Sequence, residues 1–244
     1  MERRLIALLS RVEQGRVVTN LQLHIDDVWQ GPETDRFKIR FGELLTRSSG
    51  LKSLTLVDVH GTLFDWPNGI FPFHLVELHI HFSITPEHWD LIFAQPTIRR
   101  LGLNLPMRDY MASPYFPTNI PTNALPQLEA LSAHLDIVEK LLPGRPVKYV
   151  ATTLHYPSGF ERLGRLVKKS TAPLTALSVG LHHEPEAWLR MLLYRTPSLR
   201  FLEIYNLPCY LIDLHPVIDS APLRSLEMLE CGVCSVGLML CHSH

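Results

Sequence analysis

Several features that mark common protein classes are missing from this sequence. No apolar run approaches the length of a membrane-spanning helix. The two N-terminal arginines are followed by only five apolar residues, Leu5 to Leu9, and no small-residue cleavage site comes after them, so no secretory signal is predicted. The tripeptide Asn-x-Ser/Thr, the acceptor of N-linked glycans, does not occur. These absences argue against a secreted or membrane-spanning protein.

The chain also has no surplus of charge of either sign. It contains 23 Lys and Arg against 24 Asp and Glu, whereas nucleic-acid-binding proteins usually carry a basic patch or stripe. Cysteine is confined to the last 36 residues, although a secreted disulfide scaffold would spread its cysteines over the fold. We therefore expect a cytoplasmic or nuclear protein that binds neither nucleic acid nor membrane.

The short motifs of the common enzyme classes are absent as well. The sequence has no G-x-S-x-G, no Walker loop, no G-x-G-x-x-G after a strand and no H-E-x-x-H. Its thirteen histidines are scattered, and their spacing identifies no nucleophile beside any of them. The sequence predicts no enzyme, no catalytic residue and no cofactor.

What the chain does contain is a recurring leucine pattern. In residues 196–207, TPSLRFLEIYNL, a proline is followed by Leu199, Leu202 and Ile204 in the spacing L-x-x-L-x-I. Similar segments occur at 126–133, 173–181 and 222–228. Self-similarity of this kind is the sequence signature of leucine-rich repeats.

Aligning every segment to this pattern predicts nine strands, spaced 19 to 33 residues apart. Their first apolar positions are Val18, Leu51, Leu75, Ile98, Leu128, Val147, Leu174, Leu199 and Leu223. A proline falls one to three residues before seven of these positions, where it ends a helix and starts an extended segment. Amphipathic helical stretches occupy 3–12, 37–46, 86–94, 137–142, 160–169 and 185–194, and residues 30–35 are turn-like.

We predict an α/β solenoid of about eight or nine irregular leucine-rich repeats that forms a single domain over residues 1–244. Its parallel sheet would line a concave face and its helices a convex one. Residues 1–16 are predicted to form an N-terminal helix, and 105–126, which hold five prolines, an inserted loop. Residues 231–244 are an atypical or truncated end, because they lack the polar cap that a terminal repeat normally needs.

Residues 51–59, 173–181 and 196–208 resemble the repeat regions of F-box/leucine-rich-repeat proteins, particularly the fungal ones, and this resemblance covers about residues 17–230. In that family an F-box helical module docks a Skp-type adaptor, and the repeats bind a substrate for ubiquitination. The resemblance implies a substrate-recognition domain of a cullin-type ubiquitin ligase. No proline-led helical module precedes the repeats in this sequence, so adaptor docking does not carry over to these residues. A Skp-type adaptor is expected only if the full-length protein contains an F-box, and a stand-alone scaffold or inhibitor is the alternative.

Side chains alternate along a strand, so the intervening residues of each pattern are predicted to line the concave face. The last strand would contribute Ser225, Glu227 and Leu229 to this face. We expect a protein partner there, with a solvated surface as the alternative at each position. Phe201 and Tyr205, predicted to be exposed rings beside Glu203, are the preferred contacts. The full set of predicted partner-binding residues is His79, His81, Arg100, His134, Tyr149, Phe201, Glu203, Tyr205 and Glu227.

Two patterns suggest metal chemistry. Glu77, His79 and His81 share one strand face and are ligand types that suit zinc or non-haem iron, which makes a metal-dependent enzyme an alternative function. Arg100 on the next strand would repel a metal and could pair with Glu77 instead, so a polar surface patch is favoured.

The C-terminal cysteines form the second pattern. Cys231 and Cys234 have the spacing of half a zinc site, with Cys241 and His244 as later ligands, whereas Cys209 stands apart from them. Cysteines that fill apolar positions after a repeat strand are the favoured interpretation. The prediction is therefore no metal.

Overall fold

The computed structural model describes residues 2–25, 32–58, 71–82, 84, 86–103, 117, 120–154, 156–181, 186–207 and 226–233. The chain divides into two compact units, Met1–Gln127 and Leu128–His244, which we describe separately. The expectation of one domain over the whole chain stays a prediction.

Unit 1 is an α/β structure whose strands lie side by side in chain order and are all parallel. Within its described residues, it consists of α1 (Glu2–Glu13), β1 (Asn20–Ile25), α2 (Pro32–Arg47), β2 (Ser53–Asp58), β3 (Glu77–His81), α3 (Pro86–Phe93) and β4 (Arg100–Leu103). In register, Leu21, Leu54, Leu78 and Leu101 are direct neighbours across the four strands. All four leucines are buried, as the leucine pattern predicts.

Helix α2 begins earlier than the sequence indicated. Residues 30–35 were interpreted as a turn, but Pro32 is the first residue of the helix. Proline is well accommodated there, because its missing N–H would have no intrahelical partner at that position and its fixed φ suits a helix. Further along the helix, Phe37, Phe41, Leu44 and Leu45 enter the core.

Unit 2 repeats the arrangement. Its described elements are β5 (Ala130–Ala133), α4 (Leu135–Leu141), β6 (Tyr149–Leu154), α5 (Pro157–Leu166), a 3₁₀ turn (Val167–Lys169), β7 (Ala176–Leu181), α6 (Glu186–Arg195), β8 (Phe201–Leu207) and β9 (Met228–Val233). These strands are also parallel and follow chain order. Leu131, Val150, Leu177 and Leu202 occupy one buried row.

The helices of unit 2 are joined by an ionic contact as well as by apolar packing. Arg162 on α5 donates from Nη2 to Asp136 Oδ1 on α4 at 2.5 Å, and also to Glu139. These two acceptors raise the pKa of Arg162. The guanidinium therefore bridges neighbouring helices while remaining fully charged.

A repeated hydrogen bond fixes the register in both units. At seven of the described strands, the carbonyl just before the strand accepts the N–H groups of two consecutive residues where the following strand begins; Thr19 O, for example, accepts from Lys52 and Ser53 at 2.8 and 3.0 Å. The same double acceptance is made by Lys52 and Val76 in unit 1 and by Glu129, Lys148, Thr175 and Arg200 in unit 2. The bond recurs at one structural position although the chain between successive acceptors varies in length.

Among the strand pairs described above, that of β8 with β9 has a register that the sequence prediction got wrong. The alignment started that strand at Leu223 and set Ser225 beside Phe201, but Phe201 pairs with Met228. The residue that corresponds to Leu199 is therefore Leu226. The predicted register would have set Arg200 beside Arg224, whereas the observed one sets Arg200 beside Glu227, so electrostatics favours the observed pairing.

The ends and the loop are described only in part. Helix α1 matches the predicted N-terminal helix. Most of the proline-rich segment 105–126 lies outside the described residues, as do residues 234–244, so those two predictions are not addressed.

Candidate functional site

In each unit the strands have an open face, which we define by the strand positions that alternate with the leucine rows. In unit 1 these positions are occupied by Asn20, Gln22, His24, Ser53, Thr55, Val57, Glu77, His79, His81, Arg100 and Gly102. Every one of them was predicted to line the face. In β3 the alternation is explicit, because its open-face residues are half-buried and the two between them are fully buried.

At one edge of this face Glu77 is held by its neighbours on both sides. Arg100 Nη1 donates to Glu77 Oε1 at 2.6 Å, and Ser53 Oγ donates to Glu77 Oε2 at 3.3 Å. The Glu77–Arg100 pairing that the sequence predicted as the alternative to metal binding is confirmed. Because Arg100 is largely exposed, the pair contributes little to stability.

His79 lies against the backbone of Gly102 on the neighbouring strand. A Cβ placed on Gly102 would approach His79 Nδ1 to 2.3 Å, so only glycine leaves room for this ring position. Burial lowers the pKa of His79 below 6.5; the Glu77 carboxylate opposes that shift, and Arg100 adds to it. The imidazole is therefore mostly neutral at neutral pH.

His81 extends the imidazole patch away from Glu77. Burial lowers its pKa, and His79 and His24 lower it further, since a second or third cation nearby would repel the first. Among the residues that the structure describes, no three His, Cys, Asp or Glu side chains form a group that could hold a metal ion. The geometry gives no support to the metal-dependent alternative that uses Glu77, His79 and His81.

The open face of unit 2 has a different character. Its described positions are Ala130, Ser132, Tyr149, Ala151, Thr153, Ala176, Ser178, Gly180, Phe201, Glu203, Tyr205, Met228 and Glu230. Apart from Tyr149 on β6, the residues of β5, β6 and β7 on this face are small, and the larger ones stand on β8 and β9. The result is a shallow floor with apolar and acidic groups along one side.

Tyr205 is fitted into this floor. Its ring covers Gly180, where an added Cβ would come within 2.4 Å of Cε2, and its hydroxyl lies 3.2 Å from Thr153 Oγ1 and donates to the Thr152 carbonyl at 3.4 Å. The sequence predicted an exposed ring, but Tyr205 is only half exposed. The missed signal was Gly180, whose missing side chain makes room for a neighbouring ring.

A second series of hydrogen bonds crosses the open face of unit 2. Ser178 Oγ donates to Glu203 Oε2 at 2.5 Å, and Ser178 also bonds the side chain of Tyr149. Burial raises the pKa of Tyr149; the Ser178 bond opposes that shift, while Glu203 and Tyr205 add to it. Ser178 itself is buried, so its hydrogen bond fixes the orientation of the exposed Glu203 carboxylate.

Phe201 and Met228 stand side by side where β8 and β9 begin. They are direct register partners and remain 38% and 48% exposed, which makes them the exposed apolar pair of this face. Arg200 lies with its guanidinium carbon 5.7 Å from the Phe201 ring centroid and bonds both carboxylate oxygens of Glu227 at 2.8 Å. Phe201 is therefore placed as predicted, whereas Glu227 precedes β9 and holds Arg200.

Two further predicted site residues have other positions. His134 was predicted to be on the concave strand face, but it follows β5 as the N-cap of α4, and its Nδ1 accepts from the Asp136 amide at 3.5 Å. Cys231 is part of β9 and pairs with Ile204, whereas Cys209, Cys234, Cys241 and His244 lie outside the described residues. The zinc hypothesis is therefore not addressed.

The sequence missed Met228 and Glu230 as face residues. Both follow from moving the last strand by three residues, because an odd shift exchanges the two faces of a strand. Leu229, predicted to face outward, is the register partner of Leu202, which is buried. The opposite charges of Arg200 and Glu227 were the available signal for the correct register.

A groove of about 340 Å³ lies away from the open face, beside the 3₁₀ turn and the end of α6. Two of its hydroxyl groups serve the fold: Ser170 Oγ donates to the carbonyls of Arg145 and Val147, and Ser198 Oγ donates to the Leu174 carbonyl.

No family model matches the chain, and no curated protein matches it either. In the part of the chain that the structure describes, no helix combines the length and the apolar character that crossing a bilayer requires.

Proposed function

We propose that this chain is a leucine-rich-repeat protein-interaction module whose binding surface is the open face of unit 2. The repeat assignment is supported by the leucine rows, by parallel strands in chain order and by the recurring double hydrogen bond at each strand start. In such folds the sheet face is an extended binding surface.

The observation that carries the function is the exposure of Phe201 and Met228 next to each other. A single exposed apolar side chain is common on protein surfaces. An aromatic ring and a methionine at paired positions of adjacent strands, however, form an apolar centre of the kind found in protein interfaces. The buried Ser178 below and the Arg200–Glu227 pair beside it hold the surroundings in place. A preorganised surface loses less entropy on binding.

The test is affinity capture from the source cell with the complete chain and two variants. Phe201→Ala combined with Met228→Ala removes the apolar centre. Ile39→Ala removes another exposed apolar side chain, which is 63% exposed on α2, and is the control. We expect specific proteins that are captured by the wild type and by the control but not by the double variant. Equal capture by all three proteins would contradict the proposal.

We further propose, on the resemblance to F-box/leucine-rich-repeat proteins alone, that the captured partner is a substrate for ubiquitination. Accumulation of the partner when this protein is depleted is the expected result, and a Skp-type adaptor is expected in the captured set only if the full-length protein carries an F-box. A partner that binds through Phe201 and Met228 without an adaptor and without a change in abundance would favour the scaffold or inhibitor alternative.

A further inference from the structure

On the basis of the proposed function, we infer that the open face of unit 2 binds a protein segment that presents an arginine two residues after an apolar residue. Glu203 and Glu230 would receive the guanidinium, and Phe201 and Met228 would receive the apolar side chain. The argument rests on the register, the exposure and the charge of these four residues.

The two carboxylates are direct neighbours. Glu203 and Glu230 are register partners on adjacent parallel strands, which lie about 4.8 Å apart, and both residues are exposed. Like charges that face each other across strands repel, so this pair is more favourable with a cation between them. Without a bound cation, two adjacent carboxylates repel each other and do not stabilise the fold.

No positively charged side chain at the described open-face positions of unit 2 neutralises Glu203 and Glu230. Among the described open-face positions of unit 2, Glu203 and Glu230 are the charged side chains. Arg200, the cation just before β8, is bound by both oxygens of Glu227. The described face is thus complementary to a cationic partner.

Arginine fits better than lysine because of its geometry. Its planar fork of donors can bond two carboxylates at once, whereas an ammonium is a point charge. Ser178 fixes one oxygen of Glu203 at 2.5 Å and so presets the orientation of the carboxylate.

The apolar half of the site follows from the strand geometry. Phe201 lies two residues before Glu203, and Met228 lies two residues before Glu230, so the apolar pair and the acidic pair are adjacent steps on one face. One step along a strand face is about 7 Å, the spacing of side chains i and i+2 in an extended peptide. A segment of the form apolar-x-Arg matches it.

The test uses the full chain labelled with ¹³C in its methionine methyl groups and the probe acetyl-Leu-Ala-Arg-amide. The control probe carries citrulline, which keeps the shape of arginine without its charge. We expect the Met228 signal, assigned with Met228→Leu, to shift saturably with the arginine peptide and with roughly tenfold weaker affinity for the citrulline peptide. Rising salt should weaken the first interaction more than the second.

Glu203→Gln combined with Glu230→Gln should lower the arginine affinity to the citrulline level. Glu230→Gln alone, which leaves the Ser178 contact in place, should give an intermediate affinity and covers the case in which the double variant does not fold. Equal affinity for both probes, an unmoved Met228 signal, or unchanged binding by Glu230→Gln would overturn the inference. If capture of cellular proteins still depends on Phe201 and Met228 in that case, the interaction-module proposal stands and only the arginine assignment falls.

Discussion

The hydroxyl of Tyr205 lies 3.2 Å from the hydroxyl of Thr153, two strands away, and its ring fills the space above Gly180 on the strand between them. A residue that looks like a binding contact in the sequence therefore braces the face on which binding would occur. His79 makes the corresponding use of Gly102 in unit 1. In both units, a glycine on one strand lets a ring from a neighbouring strand lie against its backbone.

Gly180→Ala should destabilise the protein, because its new methyl group would meet the Tyr205 ring at 2.4 Å. We expect a loss of about 1–3 kcal/mol in the free energy of unfolding, measured with urea. The same substitution on a Tyr205→Ala background should cost much less, since the ring that clashes is gone. An equal cost on both backgrounds would show that Tyr205 is not the obstacle.

His79 should respond in opposite directions to its two charged neighbours. Burial is the main cause of its lowered pKa, with Glu77 opposing the shift and Arg100 adding to it. Glu77→Gln should therefore lower the pKa of His79 further, and Arg100→Gln should raise it. NMR titration of the imidazole measures both shifts; shifts of the same sign would refute this electrostatic arrangement.

Stability should fall in acid because of the imidazole patch. The folded state lowers the pKa values of His79 and His81 below 6.5, so the unfolded chain takes up protons first as the pH decreases. The contribution of these histidines is complete above pH 6.5 and is lost as the pH falls through their folded pKa values. Glu77, Arg100 and His24 face these two histidines and affect how the stability depends on pH.

Thermal unfolding measured between about pH 7 and pH 5 checks this dependence. The double variant His79→Gln, His81→Gln should have a flatter profile than the wild type over that interval. A profile of unchanged slope would mean that other groups dominate the acid sensitivity.

Ser178→Ala should loosen the floor beneath Glu203. It removes the donor of a 2.5 Å bond to that carboxylate and the bond that opposes the raised pKa of Tyr149. We expect a loss of about 1 kcal/mol in unfolding free energy, because Glu203 is exposed to water, and a further rise in the pKa of Tyr149. Urea unfolding and ¹³C NMR of the tyrosine rings measure the two effects, and Ser198→Ala, which affects a serine bonded away from the face, is the control.

Much of the fold follows from the spacing of leucines, because a buried row of one residue type repeats at each strand and leaves little freedom in the register. The last strand shows the limit of that pattern. Leu223 and Leu226 both begin an acceptable leucine spacing, so the sequence pattern cannot choose between them. Pairing with β8 decides, and it places Glu227 beside Arg200.

The character of the face was less predictable, because it depends on which small residue lies next to which ring. Phe201 was placed correctly from alternation alone. The half-burial of Tyr205 depends on Gly180, which lies 25 residues earlier in the chain and becomes its neighbour only through the sheet. The identity of His134 as a helix cap depends on β5 ending at Ala133.

The carbonyls that accept two N–H groups from the next repeat have a consequence for how this chain can change over time. Thr19, Lys52 and Val76 make the same pair of bonds, although 33 residues separate the first two and 24 the next two. Insertions and deletions in the connections can therefore leave the strand register unchanged. The same residues then remain neighbours across the sheet. New binding specificity can then arise by single substitutions at open-face positions whose neighbours stay the same. The connecting segments can gain or lose residues independently of those positions.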